Sequence, residues 1–190
     1  MKIITVVGVR KSGKTTVVTH LIRELKNRGY RVGSVKNIGC PGFSIDKPGS
    51  NSDLHRKAGA DLVCLKGKRE MSIIFDPMDE SELYASFPVD YLILEGEYEL
   101  RVPRIICAHN TEEIEERITE EAFAVSGRMG AEISSYGELH AFNILEECSH
   151  LADYIEEKVG HVRFPLERCA KPESVKNYCQ GKCDKHKSGV

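Results

Sequence analysis

The sequence predicts an α/β fold: three layers, α/β/α, around a mostly parallel sheet, followed by a short Cys-rich C-terminal tail. Three observations lead there. Short β-branched runs alternate with helical periodicities along much of the 190 residues. The first run, Ile3-Ile4-Thr5-Val6-Val7, passes directly into Gly8-Val9-Arg10-Lys11-Ser12-Gly13-Lys14-Thr15. That stretch matches G-x-x-x-x-G-K-[ST], the phosphate-binding P-loop. A later run, Val89-Asp90-Tyr91-Leu92-Ile93-Leu94, ends in Glu95-Gly96, in the manner of a Walker B strand. Residues 1–160 are read as a nucleotide-binding domain and 161–190 as the tail.

The opening strand is short and apolar throughout, as a strand buried on both faces should be. After the loop, Val17, Val18, Leu21, Ile22 and Leu25 recur at helical spacing, and Asn27 and Gly29 stop the pattern. Arg31 to Lys36 reads as a second strand, and the glycines and prolines of 37–51 as a loop. Ser52 is the expected N-cap of a short helix ending near Gly59. Asp61–Leu65 and Met71–Phe75 read as strands joined by Lys66-Gly67-Lys68, and a helix is expected from Asp79 to Phe87. Beyond the Glu95 strand come a strand at Arg104–Ala108 and a short acidic helix opened by Thr111 and running to Arg117. A strand at Ala122–Val125 and a loop from Gly127 to Gly137 follow. Asn143 and Glu146 form a capping-box-like pair before a helix whose apolar face is Leu145, Cys148, Leu151, Ile155 and Val159.

The loop's residue types follow from its chemistry. Gly8 and Gly13 have no Cβ, so the backbone can curl and bring its N–H groups to a phosphate. The next helix adds its positive N-terminal end. Lys14 brings a full charge to the β- and γ-phosphates, and the Thr15 hydroxyl is suited to ligate Mg²⁺. Arg10, Lys11, Ser12 and Thr16 complete the expected nucleotide-binding wall. In a doubly wound sheet the carboxyl ends of strands face the ligand, which puts Glu95 beside the phosphates. Its expected role is to hold Mg²⁺ through water or to orient an attacking water.

Composition narrows the partners. A formal net charge of −2 favours neither nucleic acid nor an anionic membrane surface. No apolar run is long enough for a spanning helix, and the first run is too short for a signal peptide. Seven cysteines, an odd count beside a nucleotide loop, fit a reducing cytoplasm. Cys64 and Cys107 lie in apolar runs and are expected to be buried thiols.

Taken together, these stretches resemble the MobB family, the molybdopterin-guanine dinucleotide biosynthesis adaptor GTPases. The resemblance rests on the N-terminal P-loop and on Lys36 through Ser44-Ile45-Asp46-Lys47-Pro48-Gly49, Ser52 and His55-Arg56-Lys57-Ala58-Gly59-Ala60. It rests also on Leu94-Glu95-Gly96 with Pro103-Arg104-Ile105. It covers roughly residues 1–160. Asn37 and Cys40 stand where the family usually has histidine, and Ser50 and Asn51 where it has lysine and aspartate. The loop thereby lacks the charge pair that a metal or phosphate contact would use.

The resemblance implies GTP and Mg²⁺ as cofactors, with Lys36 and Asp46 joining the nucleotide site. It implies slow GTP hydrolysis and a MobA-type guanylyltransferase as partner, in a pathway serving molybdopterin or a molybdoenzyme (or its tungsten counterpart). A homodimer is a further expectation. No Asn-Lys-x-Asp stretch is present to read a guanine, so GTP rests on the resemblance alone. Two other functions compete. One is a P-loop small-molecule kinase, for which Arg128 is the one candidate lid arginine. The other is a metal-carrying interaction protein regulated by nucleotide. The tail supplies that reading: Cys169, Cys179, Cys183 and His186, spaced C-x₉-C-x₃-C-x₂-H, form a candidate Zn²⁺ ligand set.

Overall fold

The computed structural model describes residues 1–170. In chain order the elements are β1 (Lys2–Gly8), α1 (Lys14–Asn27), β2 (Val32–Lys36), α2 (Asn51–Lys57), β3 (Leu62–Lys66), β4 (Met71–Phe75) and α3 (Glu80–Ala85). They continue with β5 (Tyr91–Glu95), β6 (Arg104–Cys107), α4 (Thr111–Glu115), β7 (Ala122–Ser126), β8 (Ser135–Tyr136), β9 (Leu139–Ala141) and α5 (Cys148–Lys158). A single 3₁₀ turn, Met129–Ala131, follows β7.

Seven strands form one sheet in the order β2-β5-β1-β6-β7-β9-β8, parallel throughout except for the β8–β9 pair. β1 sits near the middle. Ile3, Ile4, Val6 and Val7 are all fully buried, two on each face, which is why its sequence shows no alternation. The two faces are covered unequally. On one, α1 and α5 pack Val17, Val18, Leu21, Leu25, Leu151 and Ile155 against Ile4, Val6, Ile93 and Ile105. On the other, Ile3, Leu92 and Leu94 meet Tyr84 of α3 with Leu100 and Val102, while Val7 and Ile106 meet Ile114 of α4. Arg28 clamps the two long helices together through Glu24, Asp153 and Glu156 at 2.7–3.1 Å.

Several expectations shift. β3 and β4 are strands, but they form a separate antiparallel hairpin outside the main sheet. Leu62, Met71, Ile73 and Phe75 are 52%, 62%, 55% and 41% exposed. Cys64 is consequently exposed, not a buried thiol; Cys107, in β6, is fully buried as expected. α2 is capped by Ser50, whose hydroxyl accepts from the Asp53 N–H at 3.1 Å, two residues before the expected cap. The last helix begins at Cys148, not near Asn143. Asn143 and Glu147 instead close a turn: the Asn143 N–H donates to Glu147 Oε2 at 2.9 Å, and Asn143 Oδ1 accepts from the Leu145 N–H at 3.2 Å. Leu145 therefore leaves the apolar face and is 69% exposed. The expected 127–137 loop contains the 3₁₀ turn and β8, elements too short for any periodicity to show.

After α5 the chain runs back over the domain. The Val162 N–H donates to Met1 O, the Leu166 N–H to Ser81 Oγ, and the Cys169 N–H to Glu99 O at 2.7 Å. No helix among the described residues is long and apolar enough to cross a membrane.

Candidate functional site

The parallel register brings three strand ends together. β2 pairs with β5 so that Lys36 lies beside Glu95, and β1 pairs with the other edge of β5 so that Val6 does. β1 then runs into the P-loop at this point. Glu95 is the hub: its Oε1 accepts from Thr15 Oγ1 at 2.9 Å and from Lys36 Nζ at 2.8 Å. Glu95 is 8% exposed, so its charge is held in a mostly dry setting by two donors. Thr15 and Glu95 are hard oxygen donors side by side. With water and phosphate oxygens they are the donor set Mg²⁺ takes, so the residues fit that ion.

The loop is shaped as much by its neighbours as by any ligand. Gly8 has φ 150°, and a Cβ there would lie 2.0 Å from the Cys107 carbonyl oxygen. Gly127 has φ 71°, and a Cβ there would lie 2.3 Å from Ser12 O. These two glycines let the loop lie against the ends of β6 and β7, and the Arg128 N–H ties it there by donating to Ser12 O at 3.1 Å. Gly13 is the N-cap of α1 and offers no side-chain cap, so the helix begins with uncapped N–H groups facing the loop. Such an end attracts anions.

The predicted loop residues divide by role. Ser12 is buried, and its hydroxyl donates inward to Val9 O at 2.9 Å, which makes it a loop brace. Arg10 and Lys11 stand exposed on the rim, and Thr16, the third residue of α1, is exposed. Lys14 Nζ donates to Val9 O, folded over the loop. Burial pushes the Lys14 ammonium below the ordinary lysine value, and the nearby Glu95 carboxylate works against that. The neighbouring Cys107 thiol is pushed up to about 12 by its own burial, so it stays neutral.

Asp46 sits apart from this hub in its bonding. Its Oδ1 accepts from Ser50 Oγ at 2.7 Å and from the Lys47 N–H at 2.9 Å, within its own turn. The Ser50 and Ser52 hydroxyls hold its carboxyl below the usual aspartate range. Of the tail set, Cys169 packs against the domain, its Sγ 3.4 Å from Tyr98 O. Cys179, Cys183 and His186 lie outside the described residues. Among the described residues no group of three or more His, Cys, Asp or Glu side chains is placed to hold a metal.

Sequence reasoning missed the residues that brace the loop from behind. The Tyr98 hydroxyl accepts the Gly8 N–H at 2.9 Å and donates to Gly8 O at 3.3 Å. Arg104, fully buried, donates to Tyr98 O at 3.2 Å and lies over its ring. Glu97, 5% exposed, accepts from Asn37 Nδ2 at 3.3 Å and from the Glu99 N–H at 2.6 Å. The one available signal was the polar and aromatic Glu97-Tyr98 directly after a Walker B glycine, where an ordinary loop needs no large aromatic residue.

Beside the P-loop lies a cavity of about 450 Å³. Its lining combines Lys11, Gly13 and Thr16 of the P-loop and α1 with Arg128, Glu132 and Asn143 of the segments after β7 and β9. It is the right size for a small organic group.

Comparison with known proteins places this geometry. A family model, molybdopterin guanine dinucleotide synthesis protein B, matches residues 3–126. A probable molybdopterin-guanine dinucleotide biosynthesis adapter protein of Bacillus subtilis is 27% identical over 118 residues, spanning 60% of this chain and 68% of that protein. The adapter protein of that name from Escherichia coli is 29% identical over 116 residues, spanning 54% and 66%. The crystal structure of Bacillus subtilis MobB superposes with a TM-score of 0.67 at 22% identity, over 85% of this chain and all of that one. A MobB homologue from Bacillus stearothermophilus gives 0.60 at 20% identity, over 83% and 97%. The parallel sheet and its N-terminal loop are thus shared in fold, and the family match runs from β1 to the end of β7. The chain belongs to the molybdopterin guanine dinucleotide synthesis protein B, or MobB, family.

Proposed function

We propose that this protein is a GTP-binding adapter in the biosynthesis of molybdopterin-guanine dinucleotide, with slow hydrolysis of GTP. The observation that carries the reading is the Thr15–Glu95–Lys36 hub at the uncapped start of α1. It supplies, in one place, a hydroxyl and a carboxylate for Mg²⁺ and, in Lys36, a cation for phosphate oxygens. Lys14 adds the charge on the triphosphate. Bound Mg²⁺ would neutralise charge on the β- and γ-phosphates; Glu95 would orient water toward the terminal phosphorus. The arginines that the fold buries, Arg104 and Arg117, are engaged in bracing the structure. Turnover is then slow so long as the exposed arginines near the loop, Arg10 and Arg128, are not donated to the phosphates, since a mobile arginine so placed is worth about 10³–10⁵-fold in P-loop GTPases. The adapter role comes from the family and from what its relatives are named for.

The partner is proposed to be a MobA-type guanylyltransferase, with the chain itself a homodimer. The apolar face of the β3–β4 hairpin, where Leu62, Met71, Ile73 and Phe75 stand exposed, supports a protein contact there. Reconstitution from purified components tests the function. The chain alone should form no dinucleotide cofactor but should raise the yield of active molybdoenzyme or tungstoenzyme when the guanylyltransferase is present. Phosphorylation of a small metabolite by the chain alone, at tens of turnovers per second as kinases achieve, would replace the adapter with the kinase reading.

A further inference from the structure

We infer that the cavity beside the P-loop reads the base of the nucleotide, and that Glu132 is its specificity-determining carboxylate for guanine. The inference rests on the GTP-binding reading above and supplies what the sequence lacks, a group that tells guanine from adenine.

The cavity adjoins the P-loop, since Lys11 and Gly13 of the loop and Thr16 of α1 are among its lining. A nucleotide whose phosphates sit at the start of α1 therefore extends its sugar and base past Thr16 into this space. The far wall belongs to two segments that the fold pins in place. The Arg128 N–H bonds Ser12 O, and the Asn143 turn is closed by Glu147. Both segments lie beyond residue 126, where the family model's match ends.

The chemistry of this wall suits one purine better than the other. Glu132 is exposed, and among the described residues its carboxylate makes no hydrogen bond or ion pair. A carboxylate accepts two parallel bonds from N1–H and the 2-amino group of guanine. Adenine has a lone pair at N1 and no 2-amino group, so it would set acceptor against acceptor. Asn143 uses its Oδ1 on the Leu145 N–H, which leaves its amide N–H₂ as a donor for O6 or N7. Arg128 offers further donors of the same kind. Ile144 and Leu145 add the apolar surface on which a base plane rests. This gives a use to Leu145, a large apolar residue otherwise 69% exposed at a turn.

The test is calorimetric titration of the full chain, in Mg²⁺, with GTP, inosine triphosphate and ATP. Inosine lacks only the 2-amino group, so it removes one of the two bonds to Glu132. Wild type should bind GTP roughly 10-fold more tightly than inosine triphosphate and at least 100-fold more tightly than ATP. Glu132→Ala should bring the GTP-to-inosine ratio to about 1, with thermal stability unchanged. Glu132→Gln, whose amide can donate to adenine N1 and accept from its amino group, should narrow the GTP-to-ATP ratio. A wild type that binds GTP, with both variants keeping its ratios, overturns the base assignment while leaving the GTP-binding reading standing. A wild type that binds no triphosphate overturns both.

Discussion

Two regions of this molecule have nearly the same apolar sequence and opposite fates. Ile3-Ile4 in β1 and Leu92-Ile93-Leu94 in β5 are sealed inside a three-layer sandwich. Ile73 and Phe75 in β4, with Leu62 in β3, are strand residues of the same kind that stand 41–55% exposed. The difference is topological. β1 and β5 have strands on both edges and helices on both faces, whereas the hairpin has one partner strand and α2, which has no buried residue. Apolar runs in a core hold the site in place; the same runs on an excursion remain available to another molecule. The first region carries the P-loop, Thr15 and Glu95, and the second carries the proposed contact surface.

One substitution made in both places gives the largest contrast. Ile93→Ala should cost about 2–5 kcal/mol of folding stability, because it removes buried methylenes and leaves a cavity. Ile73→Ala should cost within about 0.5 kcal/mol in urea titrations at concentrations where the chain is monomeric. Equal losses would mean that the hairpin is packed after all. At higher concentration Ile73→Ala should weaken self-association in sedimentation experiments.

Next in size is the effect at the hub. Glu95→Gln should bind GTP and hydrolyse it about 100-fold more slowly, since the amide keeps the shape but cannot act as a charged acceptor for water. Single-turnover hydrolysis checks this, and a rate equal to wild type would leave Glu95 a structural acid. Tyr98→Phe is smaller, about 1–2 kcal/mol of stability. It deletes the hydroxyl that holds both backbone groups of Gly8 and leaves the N–H without its partner. Its GTP affinity should fall as the loop loosens, and an unchanged affinity would show that the brace does not shape the site.

The smallest effect is a pH dependence at the edge of the sheet. Arg31, through its side chain and its N–H, holds the Asp90 carboxyl at about 2, below its ordinary 3.8. A depressed carboxyl contributes stability that is present above its unfolded value and lost as pH falls through the folded one. Asp90→Asn should therefore lower stability slightly at neutrality, where the contribution is present, and the gap to wild type should close between about pH 4 and pH 2. A gap to wild type that is absent at neutrality, or that stays constant down to about pH 2, would remove Asp90 from the account.

What could be read in advance follows from the same contrast. The motif and the buried strand before it located the P-loop, because a continuous apolar run, a glycine-lysine loop and a helical period leave few alternatives. The pairing of Lys36 with Glu95 was not readable, since it depends on β2 and β5 being neighbours across 59 residues of chain. α3 formed within the expected 79–87 stretch, but Ser50 and not Ser52 capped α2, because both serines carry the same hydroxyl two residues apart. Leu145 was assigned to a helix face by its spacing; the Asn143–Glu147 turn overrides that spacing. Tyr98 and the cavity wall come from segments with no periodicity. The cavity wall exists as a site only once β7 and β9 are side by side, and the Tyr98 brace only once the chain after β5 meets Gly8.

The central claim is that the P-loop holds a triphosphate, and its most direct test is GTP titration of wild type and Lys14→Ala in Mg²⁺. The variant should keep its fold by circular dichroism, since Lys14 lies at a helix start and, among the described residues, its ammonium bonds to loop backbone. Loss of the phosphate-facing charge should weaken GTP by about 2–5 kcal/mol, roughly 30-fold to several thousandfold. A folded Lys14→Ala protein that binds GTP as tightly as wild type would contradict the account.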